Sequence, residues 1–418
     1  TASNDYATVA GGRENTASDD HATVGGGYGN TASAQGSVVC GGTGNTASGY
    51  TDSAICGGYQ NSASGPASFI GAGLFNSSSA YASTVAGGKD NTASGVRSTV
   101  GGGSSNEASA TYATVAGGYS NTASGNRSTV GGGYSNSASN SYATVAGGYN
   151  NTASGVRSIV GGGGVNTASG NYATVGGGYT NSASAEYATV GGGRNNTASG
   201  AYGATVAGGE DNTASNYRTT VAGGRFNTAS ADYATIGGGS NNNGANVYTT
   251  VAGGGANTAT GNSATVIGGL QGLADRYGMV AHASGYFSKQ GDAQSVEFVA
   301  RNTTVGVTPE VLFLDGAISR FTVTNNSILS GVLTISGFNQ AGTKNAVYQR
   351  SVLIQNVGGT TTLAHVSTIS TDHETDATWN VTITADNVND SLQILCLGSA
   401  LDTVRWVAVF RGLQILMP

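Results

Sequence analysis

Proline is nearly missing from this chain, at 3 of 418 residues, and charged residues make up only 9% of it. Cysteine also numbers 3, too few for a disulfide scaffold. The sparse charge, beside 38% hydrophobic residues, argues against a charged disordered tail. The balance of 16 basic against 22 acidic residues gives a net charge of −6 with no basic block, so no nucleic-acid partner is expected. No apolar run approaches the roughly 20 residues that a membrane-spanning helix needs, so no membrane insertion is expected.

What the chain has in excess is glycine, at 71 residues, without the G-X-Y period of collagen. It also has repetition. The stretch "NTASGNRSTVGGGYS" from Asn121 reads "NTASGVRSTVGGGSS" thirty residues earlier and "NTASGVRSIVGGGGV" thirty later. Aligned on the Asn of "NTAS", the phrase recurs from Asn15 to Asn257 in steps of 15, with two steps of 16, at Asn45 to Asn61 and Asn196 to Asn212. Such self-similarity is the mark of a solenoid. A column of Val or Ile runs through Val9, Val24, Val39, Ile55, Ile70 and onward to Val266, and a second column carries Ala17, Ala32, Ala47 and successors, broken at Ser78 and Gly244. β-Branched residues favour strands, and flanks such as Ala7/Val9 against Tyr6/Thr8 alternate faces.

Each phrase therefore reads as one coil of two short strands and two turns, and the chain as an all-β parallel β-solenoid (β-roll) of about 17 fifteen-residue coils. At about 3.3 Å per residue such a coil has a perimeter of roughly 50 Å, narrow enough for Val and Ala and little more. So thin a core implies a second face buried elsewhere, most simply against copies of the same chain.

Variation between coils is informative. The position three before the core Val alternates as Arg97, Tyr112, Arg127, Tyr142, Arg157 and Tyr172. Stacked coils would place each guanidinium between two rings, replacing self-repulsion with cation–π contact. After each Gly-Gly the residues vary most, and Tyr119, Tyr134 and Tyr149 form a ladder there, either an ordinary solvated edge or a platform for sugars. Cys40 and Cys56 share one column; a free pair of small packed residues is favoured over a bridge. Cys396 stands alone in "SLQILCLG", whose apolar neighbours predict a buried strand.

After Gly269 the rhythm fails. The expected division is a rod over 1–269, a cap or neck over 270–293, and a β-rich module over 294–418. Runs such as "VEFVARNTTV", "AVYQRSVLIQNV" and "VRWVAVFRGLQIL" read as strands of a C-terminal antiparallel β-sandwich, jelly-roll-like. Its loop "TDHETDATWN" gathers Asp372, Glu374 and Asp376, candidate surface ligand contacts beside His373, although loop solvation accounts for them as well. Their spacing is not that of a calcium loop, and the four histidines are scattered. No metal, cofactor or catalytic group is expected, and no nucleotide-binding or hydrolase phrase is found in context.

The rod phrase resembles the head repeats of trimeric autotransporter adhesins and related repeats of phage tail fibres. "YFSKQGDAQSVEFVARNTT" and "ATWNVTITADNVNDSLQILCLGSALDTVRWVAVFRG" are similar to the C-terminal modules of phage tail fibre and other virion proteins. The resemblance implies a non-enzymatic, homotrimeric virion protein whose rod is a spacer and whose tip binds a host-surface receptor such as a glycan. The chain opens on "TAS", inside a repeat, so a part that joins it to other virion proteins is expected ahead of it. Two other readings compete. One is a bacterial cell-surface adhesin or extracellular filament subunit. The other is an ice-binding solenoid, suggested by the outward file Thr8, Thr23, Thr84, Thr99, Thr114 and Thr129, and opposed by Val38, Ala54, Phe69 and Ile159 within it.

Overall fold

In the computed structural model, which describes residues 1–417, the chain is all-β and resolves into two compact units, Thr1–Asp211 and Asn212–Pro418. The first consists of parallel coils alone. The second begins with coils of the same kind and continues into antiparallel sheets.

A coil contains two two-residue strands, for example Thr122–Ala123 and Thr129–Val130. Each pairs in parallel with its equivalent one phrase later, Ala123 with Ala138 and Val130 with Val145. The Thr–Val type recurs in eighteen strands, close to the expected number of coils. A third pairing was not foreseen. A single residue after each Gly-Gly also bridges its equivalent, as Tyr119 does Tyr134 and Tyr134 does Tyr149. The expected two strands and two turns are thus three paired stretches. One residue is too short a stretch to show any hydrophobic alternation, so periodicity could not reveal it.

The corners explain the composition. The chain turns at three left-handed positions that recur from coil to coil, for example Tyr112 (φ 57°), Gly118 (φ 91°) and Ser120 (φ 55°), and some coils add a fourth at the preceding glycine, as at Gly132 (φ 145°). Gly118 is glycine for two reasons: its dihedral, and its close approach to the next coil, where a Cβ would strike the Gly133 carbonyl oxygen and crowd Asn121 Nδ2. Left-handed backbone strains a Tyr or Arg. Inter-coil hydrogen bonds hold these corners in place, such as Tyr112 N–H to the Val96 carbonyl (2.9 Å) and Arg127 N–H to that of Thr111 (2.9 Å).

Inside the coils, the Val column from Val24 onward and the Ala column are fully buried, as expected, while Val9 in the first coil is half-buried. Beside them runs a buried column that hydrophobic patterning does not anticipate, the Asn of "NTAS". Asn121 is 0% exposed. Its N–H donates to Asn106 Oδ1 (3.0 Å), and its own Oδ1 accepts from Asn136 N–H (2.9 Å). Its Nδ2 donates to the carbonyls of Gly117 in the same coil and Gly133 in the next (2.9 Å each). Every polar atom of the side chain is satisfied, and each coil is tied to both neighbours.

In the second unit this ladder ends at Asn257, whose Oδ1 accepts from Gly272 N–H (2.7 Å). Glutamines from the following segment cover the last coils. Gln290 Nε2 donates to the Ala256 and Gly272 carbonyls (2.7 and 3.0 Å), and Gln294 bonds both backbone groups of Leu273. Asp292 folds the segment on itself by accepting from the N–H groups of Phe287, Ser288 and Lys289.

Beyond it lie two antiparallel sheets. In the larger, Val280–Ser284, Ala293–Val305, Thr403–Leu416, Ser327–Asn339, Asn345–Val357 and Thr360–Thr368 pair in that order. In the smaller, Ser391–Leu397 pairs with Asn380–Asp386 on one side and with Glu310–Val311 and Phe321–Thr322 on the other. Between the sheets an aromatic core joins Phe298, Phe321 and Phe410, and Trp379 meets Trp406 edge-on at 5.4 Å. Gly337 lacks a side chain where the Trp406 ring packs. Cys396 is buried here, and burial pushes its thiol far up.

The Asn column makes a direct prediction. Asn121→Ala removes the acceptor of one buried N–H and the donor to two buried carbonyls, at about 1–3 kcal/mol for each group left unsatisfied. Hydrogen exchange should quicken in the coils from 106 to 136 before more distant coils change, because solenoid stability is roughly nearest-neighbour. Thr122→Val, at a half-exposed strand position, should cost less than about 0.5 kcal/mol. Equal effects of the two substitutions would contradict a structural role for the ladder.

Candidate functional site

Two kinds of surface bear chemistry. The first comprises the files of side chains that the coils stack in register. Tyr119, Tyr134 and Tyr149 stand on the third, single-residue pairing. Their rings stack at 5.2 and 5.4 Å with interplanar angles of 12° and 24°. They are about half exposed. Gly164 follows in the same column, and the Tyr179 ring leans over it.

The alternating file occupies the left-handed corner. The Arg97 guanidinium lies 5.9 and 5.5 Å from the Tyr81 and Tyr112 ring centroids. Arg127 lies 5.5 and 5.4 Å from Tyr112 and Tyr142, and Arg157 lies 5.4 and 5.6 Å from Tyr142 and Tyr172. Each arginine also donates from Nη1 to the hydroxyl of the following tyrosine. The sandwich expected from the alternation is therefore present, and the hydrogen bond to Tyr112 raises the Arg97 pKa further.

The second surface is the loop end of the C-terminal sheets. The structure does not bring Asp372, Glu374 and Asp376 around a common point. Asp372 takes a bidentate pair with Arg350 (2.6 and 2.7 Å), which lowers its pKa. Glu374 accepts from the Tyr348 hydroxyl at 2.8 Å. Asp376 accepts from Lys344 Nζ at 2.8 Å and from the Thr378 hydroxyl at 2.7 Å, and both hold its carboxyl well below the usual range. The arginine, tyrosine and lysine lie 22 to 32 residues away in sequence, so no local motif could show them.

Lys344 also reaches Asp402 at 2.7 Å, and Asn339 reaches Asp402 at 3.3 Å. These contacts tie together the loops "FNQAGTKN", "TDHETD" and "GSALDT". Among the described residues, no group of three or more His, Cys, Asp and Glu side chains is placed to hold a metal ion.

Cys40 and Cys56 are unbridged, and both are exposed rather than packed. Partial burial, and then the neighbouring Cys40, push the Cys56 thiol up.

No family model and no curated protein matches the chain. Among solved structures it is similar to a tailspike protein, gp49, of the Acinetobacter baumannii bacteriophage Fri1, described as a capsular polysaccharide depolymerase. That likeness has 9% identity and a TM-score of 0.25, and it covers 94% of this chain and 80% of that one. It is similar also to the tailspike of Acinetobacter phage vB_ApiP_P1, at 8% identity and a TM-score of 0.23, covering 95% and 82%. A third is the tailspike of Acinetobacter baumannii phage AM24, at 10% identity and a TM-score of 0.20, covering 94% and 68%. All three are phage tailspike proteins. The expectation of a non-enzymatic chain is corrected here, because the first of these proteins is described as an enzyme.

The carboxylates of the C-terminal sheets generate a pH prediction. Burial works to raise Asp292, but three backbone N–H groups outweigh it and hold the carboxyl at about 2. Asp315 is lowered likewise by Ser319, Ala317 and Ile318, and Asp376 and Asp402 are lowered by Lys344. Depressed folded values mean that this stabilisation is complete above the unfolded carboxylate range, near 4, and is lost as pH falls toward 2 and below. The interior polar groups of the coils are Asn, Ser and Thr, which do not titrate. The two tryptophans, Trp379 and Trp406, both lie in the sandwich. On acidification from pH 5 to pH 2, the thermal midpoint read by tryptophan fluorescence should fall further than that of the coils read by far-UV circular dichroism. Equal falls would contradict the assignment.

Proposed function

We propose that this chain is a fibre subunit of a phage virion. Residues 1–269 serve as a spacer, 270–293 as a neck, and 294–418 contact a glycan on the host surface. The observation that carries the reading is the contrast between columns and loops. A coil column repeats one chemistry every 15 residues, which suits reach better than discrimination. The three loops tied through Lys344 and Asn339 are each unique, and they stand on a rigid sheet, where recognition usually resides. The extracellular virion is the place such a subunit would work.

Three copies are favoured by the outer face of the larger sheet. Val299, Val332, Val407, Leu413 and Ile415 project from it, 41–57% exposed. Its four long strands of 13 or 14 residues cover about 800 Å² at the usual strand rise and spacing, the area one partner contributes to a standard stable interface. A second copy is the occupant this face fits, and three tips at one end would bind glycans multivalently.

Light scattering in native buffer should report three chains, and a stable monomer at micromolar concentration would remove the trimer. Excess full chain should reduce adsorption of the parent virion to its host cells. Lys344→Ala unties Asp376 from Asp402 and should weaken that competition several-fold while the coil spectrum stays unchanged. Competition unaffected by Lys344→Ala but lost on changing the tyrosine ladder would move the contact to the coils. Release of reducing ends from host polysaccharide, followed in the same mixture, reads cleavage directly.

A further inference from the structure

The arginine–tyrosine file differs in one respect from the cations that brace the C-terminal sheets. Arg320, Lys344, Arg350 and Arg411 all meet carboxylates. Among the described residues, Arg97, Arg127 and Arg157 pair with none. Residues 91–180 contain these three arginines and a single carboxylate, Glu107, which stands in the Thr–Ala strand rather than at the corner. A local run of positive charge therefore lies exposed on a chain whose net charge is −6.

The cations are also held in place. Each guanidinium lies 5.4–5.9 Å from the centroids of two tyrosine rings, one from a preceding and one from the following coil, and is fastened to a tyrosine hydroxyl. Little side-chain freedom remains to be lost when an anion arrives. The interval is regular. Successive arginines are two coils apart, about 9.6 Å at ordinary strand spacing. Between them Tyr112 and Tyr142 are 41% and 43% exposed, and the neighbouring backbone carries the neutral residues Thr111, Asn126, Ser141 and Val156.

A row of fixed charges selects a polymer of matching linear charge density. Nucleic acid carries a charge about every 3.4 Å along each strand, roughly three times too dense for this file. An extended chain of sugars advances by about two residues over the same interval. We propose that the file Arg97–Tyr112–Arg127–Tyr142–Arg157 binds a linear anionic polysaccharide bearing one carboxylate per disaccharide. Each guanidinium would meet one carboxylate, and each intervening tyrosine one neutral sugar. This rests on the reading of the chain as a glycan-binding fibre, and it adds a contact along the coils to the one at the loops.

The test uses the intact chain and three defined polymers: hyaluronan, with one carboxylate per disaccharide; dextran, with none; and heparin, densely charged. Isothermal titration should show hyaluronan bound, more weakly as salt is raised, and preferred over dextran. The triple variant Arg97→Gln, Arg127→Gln, Arg157→Gln should lose at least tenfold in hyaluronan affinity with an unchanged circular dichroism spectrum. Arg127→Lys, which keeps the charge, should lose less than Arg127→Gln. Equal hyaluronan affinity of the triple variant and the parent overturns the proposal, as does preference for heparin or equal binding of dextran. If the triple variant still blocks virion adsorption while hyaluronan is not bound, the stripe fails and the reading of the loops survives. If the parent chain binds no polymer and blocks no adsorption, both fail.

Discussion

The coils depend on an asparagine that must be buried and fully bonded. A Val and one or two Ala per coil exclude water but impose no register, because their packing is nondirectional. The amide is directional. With Oδ1 on the next Asn N–H and Nδ2 on two glycine carbonyls, as at Asn121, it sets where each coil lies over the last. It also dictates the glycines: the carbonyls of Gly117 and Gly133 can reach Nδ2 because Gly118 brings the backbone close at a dihedral other residues avoid. The tolerance for insertions follows. Both 16-residue steps place the extra residue between the Asn and the Val, away from the amide's partners, and Asn61 N–H still meets Asn45 Oδ1 at 3.0 Å.

Much of this architecture was legible because it rests on periodicity. The Val and Ala columns and the alternation of Arg97 with Tyr112 are read directly from spacing, and stacking in register does the rest. The asparagine was visible as the most regular letter of the repeat, yet its burial was not, since a small polar residue beside glycines reads as a turn. The third pairing escaped for want of a pattern in one residue. The C-terminal loops were legible as irregular and no further. The partners of Asp372, Glu374 and Asp376 are Arg350, Tyr348 and Lys344, and only the closing of the sheet brings them near.

The ladder also frees the surface. Because backbone and amide satisfy one another inside the coil, the outward corner residue contributes nothing to the interior. Tyr6, His21, Ala82, Arg97 and Ser263 all occupy it with φ between 53° and 59°. That corner can carry almost any chemistry at the same modest strain, so its composition reports selection for something other than folding.

Charge is used in opposite ways by the two kinds of surface. In the sandwich, Lys344 and Arg350 are spent on carboxylates, and the result is rigidity of loops that would otherwise wander. In the coils Arg97, Arg127 and Arg157 are left without carboxylates and are spaced by tyrosines. Two unit charges about 4 Å apart repel by about 1 kcal/mol even in water, so an uninterrupted arginine file at one-coil spacing would work against stacking. At two-coil spacing the separation is close to the Debye length of about 8–10 Å at physiological salt, and most of that repulsion is screened. The alternation therefore keeps a row of cations in a thin solenoid without the carboxylates that would cancel it, and leaves the row available to an anion from outside.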